Sequence, residues 1–175
     1  KKAAKRGYDC AQNNLAWMYL NGEGVKKDSK EAVKWYKKAA KQNHVSAQYN
    51  LGDMYFKGEG VLKDFKEAFK WFQSSASSGF FEAELKLGDM YVNGEGVLKD
   101  YKEAANWYLK VAEKGNFYAQ YKLYIHAKEM SIDAKESIDW LHKSAGQDMF
   151  IDIFGLLQSE NDKKFIIKSY KEAVC

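Results

Sequence analysis

The side chains that could do chemistry in this sequence of 175 residues are few and scattered. Three histidines, His44, His126 and His142, share no spacing that is typical of metal ligands. The two cysteines, Cys10 and Cys175, lie near opposite ends and form neither a disulfide framework nor a metal set. Cys10 stands at a predicted helix start, but the sequence fixes no histidine beside it. We therefore predict no catalytic group, no metal site and no cofactor.

Carboxylates recur as Asp-x-x-Glu, a pairing that could serve general acid–base catalysis. The four pairs are Asp28 and Glu31, Asp64 and Glu67, Asp100 and Glu103, and Asp133 and Glu136. An aspartate at a helix start accepts from free N–H groups of the first turn, and a glutamate three residues on can reach back. Helix capping therefore explains all four copies. The Gly-Glu-Gly segments are not phosphate loops, because no Lys-Ser or Lys-Thr follows at the required place.

Composition argues against a nucleic-acid partner and against a membrane span. The chain carries 28 basic and 24 acidic groups, for a net charge of +4. A nucleic-acid binder usually concentrates basic charge on one stripe, whereas acids here are interleaved with most of the lysines. The apolar runs are far shorter than the roughly 18 residues that a membrane helix needs. A solvated helix face is the better interpretation of the lysine-rich segments.

The sequence repeats itself with a period of 36 residues, which indicates stacked supersecondary units. Glycine, tryptophan and alanine recur at this spacing: Gly24, Gly60 and Gly96; Trp35, Trp71 and Trp107; Ala11, Ala47, Ala83 and Ala119. Each copy predicts two helices. In the first, Ala47, Leu51, Met54 and Tyr55 share one helical face, and Gly58 then ends the helix.

The second helix of each copy begins at the aspartate described above. Its inward face is predicted to be Ala32, Trp35, Tyr36 and Ala39. Gly52 and Ala68 are small enough to let the two helices approach closely. We expect seven motif positions to be buried: Ala32, Trp35, Ala39, Ala68, Trp71, Ala104 and Trp107.

The period also predicts the domain organisation of the chain, a single repeat domain over 1–175. Residues 1–8 match the end of a second helix, so we expect them to belong to a truncated preceding repeat. Full repeats are predicted at 9–44, 45–80 and 81–116, a degenerate repeat at 117–149, and a degenerate C-terminal capping repeat at 150–175. Erosion of the motif toward one end is typical of a capping unit.

The motif Ala-x-x-x-Leu-Gly-x-x-Tyr-x-x-Gly-x-Gly-Val-x-x-Asp-x-x-x-Ala-x-x-Trp stands complete at residues 47–71 and 83–107. It resembles the Sel-one-like repeat (SLR), a relative of the tetratricopeptide repeat. The resemblance implies an all-α fold, a right-handed α/α superhelical solenoid of antiparallel helix pairs. It also implies an adaptor or scaffold role, as in endoplasmic-reticulum quality control, bacterial envelope proteins, host-interaction proteins and immunity partners of toxins.

Positions that vary between copies are candidates for partner binding, because the fold does not require them. On a helical wheel they fall opposite Ala11, Leu15 and Met18, where a solenoid has its concave surface. The twelve predicted partner-binding residues are Asn13, Trp17, Leu20, Tyr49, Asp53, Phe56, Leu85, Asp89, Val92, Tyr121, Ile125 and Lys128. Tyr49 and Phe56 are expected to lie outside the core, and Asp53 and Asp89 to form an acidic strip. The alternative is that these side chains pack between neighbouring repeats.

The predicted function is binding of a protein or peptide on the face formed by the first helices, with no enzymatic activity. The resemblance allows a host protein, an envelope protein or a toxin as the partner. Two alternatives remain open at this point. One is a cell-wall-related enzyme or small-molecule binder of the cysteine-rich repeat subgroup, which the presence of only two cysteines disfavours. The other is a self-associating structural module.

Overall fold

α-Helices account for the regular structure of residues 1–145, the part of the chain that this computed structural model describes. In those residues the helices are α1 (Lys2–Lys5), α2 (Asp9–Asn21), α3 (Ser29–Ala40), α4 (Val45–Lys57), α5 (Phe65–Ser77), α6 (Phe81–Asn93), α7 (Tyr101–Ala112), α8 (Phe117–Ile125) and α9 (Ala134–Ala145). No strand occurs among them, so the all-α prediction is confirmed. None of these helices is both long and apolar enough to cross a membrane. The predicted capping repeat at 150–175, and residues 146–149 of the repeat before it, lie outside the described residues.

The chain divides into two compact units, residues 1–99 and residues 100–175. In the first unit α2 packs against α3 and α4 packs against α5, which are the helix pairs predicted for two of the repeats. Consecutive pairs also touch, since α3 packs against α4 and α5 packs against α6. In the second unit α8 packs against both α7 and α9. Within each unit, helices therefore pack chiefly against their neighbours in the sequence.

The first helices α2, α4 and α6 each end at a glycine in the left-handed conformation. In α4 this residue is Gly58, with a φ of 75°. Its N–H and that of Glu59 both donate to the Met54 carbonyl. Residues with a side chain adopt this conformation reluctantly, which is why glycine recurs here. The chain then turns, and the Asp64 N–H donates to the Tyr55 carbonyl at 3.0 Å just before α5 begins.

An aspartate caps each second helix, as predicted. The four side chains that accept from first-turn N–H groups are Asp28, Asp64, Asp100 and Asp133. The expectation that the following glutamate reaches back is wrong for the first of them. The Glu31 carboxylate pairs with Lys34 one turn along. It has no role at the Asp28 N–H, because that group already donates to the Tyr19 carbonyl at 2.8 Å.

The core around each of the second helices α3, α5 and α7 is built on one aromatic ring, and it is not the tryptophan. Tyr36, Phe72 and Tyr108 have no exposed surface, and the four predicted alanines are buried as well. The tryptophans that precede these rings are only partly buried: Trp35, Trp71 and Trp107. The prediction placed them too deep, because one residue on a helix turns the side chain by about 100°. The Lys38 ammonium covers the outer side of one of them, 4.2 Å from the Trp35 ring centre.

Gly52 allows the two helices of its repeat to approach closely, as predicted. A Cβ atom at this position would lie 2.9 Å from the Phe72 ring and 3.3 Å from the Ala68 carbonyl oxygen. Carbon atoms pack at about 3.5–4.0 Å, so any side chain here would push α4 and α5 apart. The glycine and the buried ring therefore form one packing unit.

Successive repeats meet where the glycine loop of one lies against the second-helix start of the one before. A Cβ atom on Gly60 would lie 2.3 Å from the Ser29 carbonyl oxygen, and one on Gly96 would lie 2.3 Å from that of Phe65. In the first of these contacts the Ser29 hydroxyl donates to the Glu59 carboxylate at 3.2 Å. Both glycines also have a positive φ, so backbone conformation and close approach impose the same residue type.

A buried glutamine ties each of several first helices to the second helix before it. Gln48 Nε2 donates to the Ala40 carbonyl at 3.3 Å, and Gln12 Nε2 donates to the Ala4 carbonyl at 3.3 Å. Gln120 makes the same bond eight residues back in the second unit, at 3.0 Å. A buried amide is costly unless it is hydrogen-bonded, so this bond fixes which side of the first helix faces inward.

Truncation of the buried ring should cost more stability than truncation of the tryptophan beside it. Phe72→Ala is expected to lower the free energy of unfolding by about 3–5 kcal/mol, the range for a large aromatic truncation in a core. Trp71→Ala should cost less, because part of its ring already faces water. Urea unfolding followed by circular dichroism measures both. An equal or larger loss for Trp71→Ala would contradict this assignment of the core.

The contact between repeats can be tested with two glycines that share a backbone conformation. Gly79 has a φ of 79° with nothing within 4 Å of a built Cβ, whereas Gly60 has a φ of 71° and a carbonyl oxygen 2.3 Å away. Gly79→Ala should cost about 1–2 kcal/mol for the left-handed backbone alone. Gly60→Ala should cost roughly 1–3 kcal/mol more, since the clash forces the repeats to shift. Equal losses in denaturant unfolding would show that the contact adds nothing.

Candidate functional site

The first helix of each repeat turns one line of side chains toward solvent. In α2 the exposed residues Cys10, Asn14, Trp17 and Asn21 follow one another at i, i+4, i+7 and i+11, which is one helical face. The buried residues of α2 lie on the opposite side. These four positions are called the exposed line below. They are the surface that α2 offers to another molecule.

A shift of 36 residues gives the exposed line of the next two first helices. In α4 it consists of Ser46, Asn50, Asp53 and Lys57, and in α6 of Glu82, Lys86, Asp89 and Asn93. Every one of these eight side chains is polar, and all are partly buried or exposed. Trp17, which is 45% exposed, is the large apolar side chain on the line in this unit.

The structure places one of every three predicted binding residues on the exposed line. These are Trp17, Asp53 and Asp89 in the first unit and Ile125 in the second, at the end of α8. On α2, α4 and α6 the other two of each three lie about 80° round the helix from the centre of the line, as does Tyr121 on α8, whereas Lys128 lies beyond the end of α8. The predicted binding face is rotated too far round the helix. Gln12 and Ala16 are buried, at 5% and 0% exposure, so the solvent-facing side lies opposite them. The hydrogen bond from the Gln12 side chain to the Ala4 carbonyl holds Gln12 on the inward side of α2.

Two aromatic residues that were expected outside the core pack against the second helix instead. The Tyr49 ring lies 5.5 Å from the Phe72 ring between centroids, and the Phe56 ring lies 5.0 Å from that of Phe65. Burial raises the pKa of the Tyr49 hydroxyl, and the carboxylate of Asp53 raises it further. Both rings are partly buried and contact the second helix of their own repeat, so neither is a free surface residue. Packing between neighbouring repeats stays a prediction. Such rings contribute to stability before they contribute to binding.

Val92 and Tyr121 are buried, at 7% and 9% exposure. Neither side chain offers a partner much surface, which argues against a binding role for either. The remaining flanking positions are partly buried or exposed: Asn13, Leu20, Leu85 and Lys128. Among them Leu20 packs against the hydrophobic core of the first helix pair.

The predicted acidic strip is not two free carboxylates. The Asp53 carboxylate pairs with the Lys57 ammonium at 2.6 Å, one turn along the same helix. Asp89 holds the equivalent position in α6, is partly buried, and also has an interaction partner. The exposed line therefore presents mixed, locally balanced charge, which favours no strongly basic or acidic ligand.

Two further aromatic side chains are exposed at helix starts, which the helical-wheel prediction did not include. Tyr8, which precedes α2, is 62% exposed, and Phe81, the first residue of α6, is 43% exposed. The Phe81 ring lies 6.5 Å from Phe80 between centroids, and Phe80 in turn contacts Tyr49. A helical wheel compares residues by their angle round the helix. It therefore does not identify residues that are exposed because they lie at the helix end.

The structure also joins chemical groups that the sequence left apart. Asp9, Cys10 and His44 each offer a ligand atom, and these three atoms lie within 4.8 Å of one another. The structure therefore places His44 near Cys10, a neighbour that was not predicted from the sequence. The signal was present in the period, because His44 precedes the first helix of one repeat as Tyr8 precedes that of the repeat before. Successive first helices begin side by side, and residues 9, 10 and 44 are brought together.

A pocket of about 390 Å³ lies in the second unit. Its lining is Ala112, Glu113, Gly115, Gln120, Trp140 and Lys143. The lining includes one carboxylate and one ammonium group but no serine, cysteine or histidine nucleophile. His126 lies elsewhere, partly buried at the end of α8, with its ring centroid 5.8 Å from that of Tyr101. This pocket gives little support to the enzymatic alternative.

Comparison with known proteins places these helix pairs in a family. The Sel1 repeat matches residues 11–44, 45–80, 81–116 and 118–149. A protective antigen of uropathogenic Escherichia coli strains that displays an SLR fold is 36% identical, with a TM-score of 0.81. The match covers 97% of this chain and 39% of that protein, so the chain spans well under half of its relative.

Two further solved structures extend the comparison. A Sel1 repeat protein from Oxalobacter formigenes is 34% identical with a TM-score of 0.79, over 98% of this chain and 75% of that one. Cysteine rich protein B of Helicobacter pylori shares the fold at 24% identity and a TM-score of 0.53, over 67% of this chain and 92% of that one. No curated protein matches in sequence. The family match spans most of the chain, and the chain belongs to the Sel1 repeat family.

Proposed function

We propose that this chain is an interaction scaffold that binds a protein or peptide along the exposed line of its first helices, with Trp17 as the principal anchor. Sel1 repeat proteins generally act as protein-interaction scaffolds. The observation that carries the proposal is the exposure of Trp17, 45% of whose surface faces solvent on a helix with a buried opposite side. Leaving such a ring in water is costly unless a partner covers it.

The surroundings of Trp17 fit a binding hot spot. Asn14 and Asn21 flank it on the exposed line, and the Asn21 side chain donates to the Trp17 carbonyl at 3.0 Å. A central aromatic ring with a polar rim is the usual arrangement of residues that dominate binding energy. Amides at the rim can donate to or accept from a partner backbone without burying charge.

The exposed lines of α4 and α6 add polar contacts of mixed charge. Asp53 and Lys57 form an ion pair on α4. Lys86 and Asp89 are the two central residues of the exposed line on α6. Exposed ion pairs contribute little to affinity but set register and exclude wrong partners. The proposed partner is therefore a protein surface or peptide that inserts an apolar group at Trp17 and matches alternating charges beside it.

The class of partner follows from the similarities and is part of the proposal. The Escherichia coli relative is a protective antigen, which favours a host protein or an envelope protein over the other partners that the family allows. An enzymatic role of the cysteine-rich kind has less support, because this sequence has only two cysteines. No catalytic residue is assigned.

Replacement of the anchor should weaken binding without unfolding the chain. Quantitative capture on immobilised wild-type protein and on Trp17→Ala identifies the partner, and calorimetry with purified components then measures the dissociation constant. Trp17→Ala is expected to weaken binding by about 2–4 kcal/mol, the range for a hot-spot aromatic.

The matched control changes charge on the other helix layer. Lys30 and Lys37 are exposed on α3, and the double variant Lys30→Glu with Lys37→Glu should bind as the wild type does. Normal binding by Trp17→Ala together with loss in the lysine variant would move the site to the second helices and overturn the proposal.

Stability should separate the exposed line from the residues beside it. Phe56→Ala removes a ring that packs on Phe65 and is expected to lower the free energy of unfolding by about 3 kcal/mol, the lower end of the range for aromatic truncations. Trp17→Ala should change it by less than about 1 kcal/mol, as surface substitutions usually do. Thermal and urea unfolding of the two variants make the comparison. A large loss for Trp17→Ala would make Trp17 a core residue.

A further inference from the structure

A chemical cluster separate from the Trp17 anchor lies at the start of α2, where Cys10 is also the first residue of the exposed line. Asp9 and Cys10 occupy the first turn of this helix, and His44 is the residue that caps the start of α4. One ligand atom from each lies within 4.8 Å of the other two. Asp9 and His44 are partly buried, and Cys10 is an exposed free thiol. A carboxylate, a thiol and an imidazole thus converge from the starts of two successive first helices, α2 and α4.

A side-chain hydrogen bond holds the loop before α4 against α2. The Gln42 side chain, two residues before His44, donates to the Gln12 side chain at 2.8 Å. Gln12 is itself fixed by its buried bond to the Ala4 carbonyl. The loop that carries His44 is therefore anchored to α2 independently of the three converging groups. Such a support orients ligands before a metal arrives, as surrounding hydrogen bonds commonly do in metal sites.

We propose that Asp9, Cys10 and His44 form a binding site for a divalent transition-metal ion of the Zn²⁺ type. Thiolate, imidazole and carboxylate are the ligands that Zn²⁺ takes, at about 2.0–2.3 Å. Tetrahedral geometry at those bond lengths requires donor atoms about 3.3–3.8 Å apart. The observed separations are within reach of small side-chain rotations. Three protein ligands leave the fourth position to water.

The electrostatics of the site are balanced. Binding releases the Cys10 thiol proton to solvent, and the resulting thiolate and the Asp9 carboxylate together carry two negative charges. They neutralise the two positive charges of the ion. A neutral complex is not repelled by the positive ends of the α2 and α4 dipoles, whereas an uncompensated cation would be.

The metal competes with an existing hydrogen bond of His44. Its Nδ1 accepts from the Ala47 N–H at 3.2 Å, so in the neutral ring the proton is on Nε2. Coordination through Nε2 requires the proton to move to Nδ1, and coordination through Nδ1 displaces the Ala47 N–H directly. Either route removes this cap, which lowers the stability of the start of α4. Metal binding must therefore exceed that cost, and it exchanges a hydrogen bond at the start of α4 for a link between the starts of α2 and α4.

The other repeats lack the set at the same positions. Residues 45, 46 and 80 are Val45, Ser46 and Phe80, and residues 81, 82 and 116 are Phe81, Glu82 and Asn116. Repeat structure alone therefore does not require these groups. Asn116 is useful for a test, because its side chain caps α8 as His44 caps α4, accepting from the Ala119 N–H at 3.0 Å.

The test uses Co²⁺ as a spectroscopic probe for the Zn²⁺ site. The full chain, untagged and stripped of metal, carries Cys175→Ser so that Cys10 supplies the single thiol. We expect one Co²⁺ per chain, with a thiolate-to-cobalt charge-transfer band and the strong visible absorption of tetrahedral Co²⁺, both lost on addition of Zn²⁺. Zn²⁺ should also raise the melting temperature, because it binds only the folded site.

Two variants keep the fold while removing a ligand. Cys10→Ser should abolish the charge-transfer band. His44→Asn preserves the cap in the manner of Asn116 and should weaken Co²⁺ binding by at least about 10-fold, the smallest effect usual even for residues that only support ligands. His126→Gln serves as the histidine control and should bind as the parent protein does. Absence of the charge-transfer band, or unchanged affinity in His44→Asn, would overturn the proposal.

Discussion

The contact between Gly60 and the Ser29 carbonyl determines how one repeat sits on the next. Gly60 and the Ser29 carbonyl meet through their backbones, so neither can move away as the end of a flexible side chain would. Because the loop is held there, α4 begins beside α2 and its exposed line follows at a fixed distance along the stack. The buried bond from Gln48 to the Ala40 carbonyl then sets the rotation of α4. Position comes from the glycine and orientation from the glutamine, and the placement of every side chain on the surface depends on both.

Much of the fold could be predicted because it rests on local rules. Glycine at a helix end, aspartate at a helix start and a small residue opposite a ring each follow from the chemistry of a few neighbours, as Gly58, Asp64 and Gly52 illustrate. The rotation of each helix about its own axis is less local. Trp35 and Tyr36 are adjacent aromatic residues, and which one enters the core is decided by the partner helix. The predicted binding surface depends on the same rotation. An error of less than a quarter turn in that rotation exchanged exposed positions for packed ones.

The interaction surface and the metal cluster have different origins in the repeat. Trp17 lies in the middle of a helix, at a position where other copies carry aspartate or isoleucine. Asp9, Cys10 and His44 lie at the starts of two successive first helices, at opposite ends of the 9–44 repeat. Comparison of copies reveals the first kind of site. The second kind becomes visible only when the adjacency of repeats is known, because its residues are separated by most of one period.

The buried glutamine bond also bears on how the chain folds. It joins a first helix to a carbonyl only eight residues earlier, and the side-chain bonds between helices reach about 30 residues along the chain. Low contact order of this kind speeds folding, since little loop entropy must be lost before contacts form. It also limits cooperativity, because a repeat that opens breaks contacts chiefly with its immediate neighbours. Hydrogen exchange in such a chain reports on segments of about one repeat, so different stretches can exchange at different rates without global unfolding.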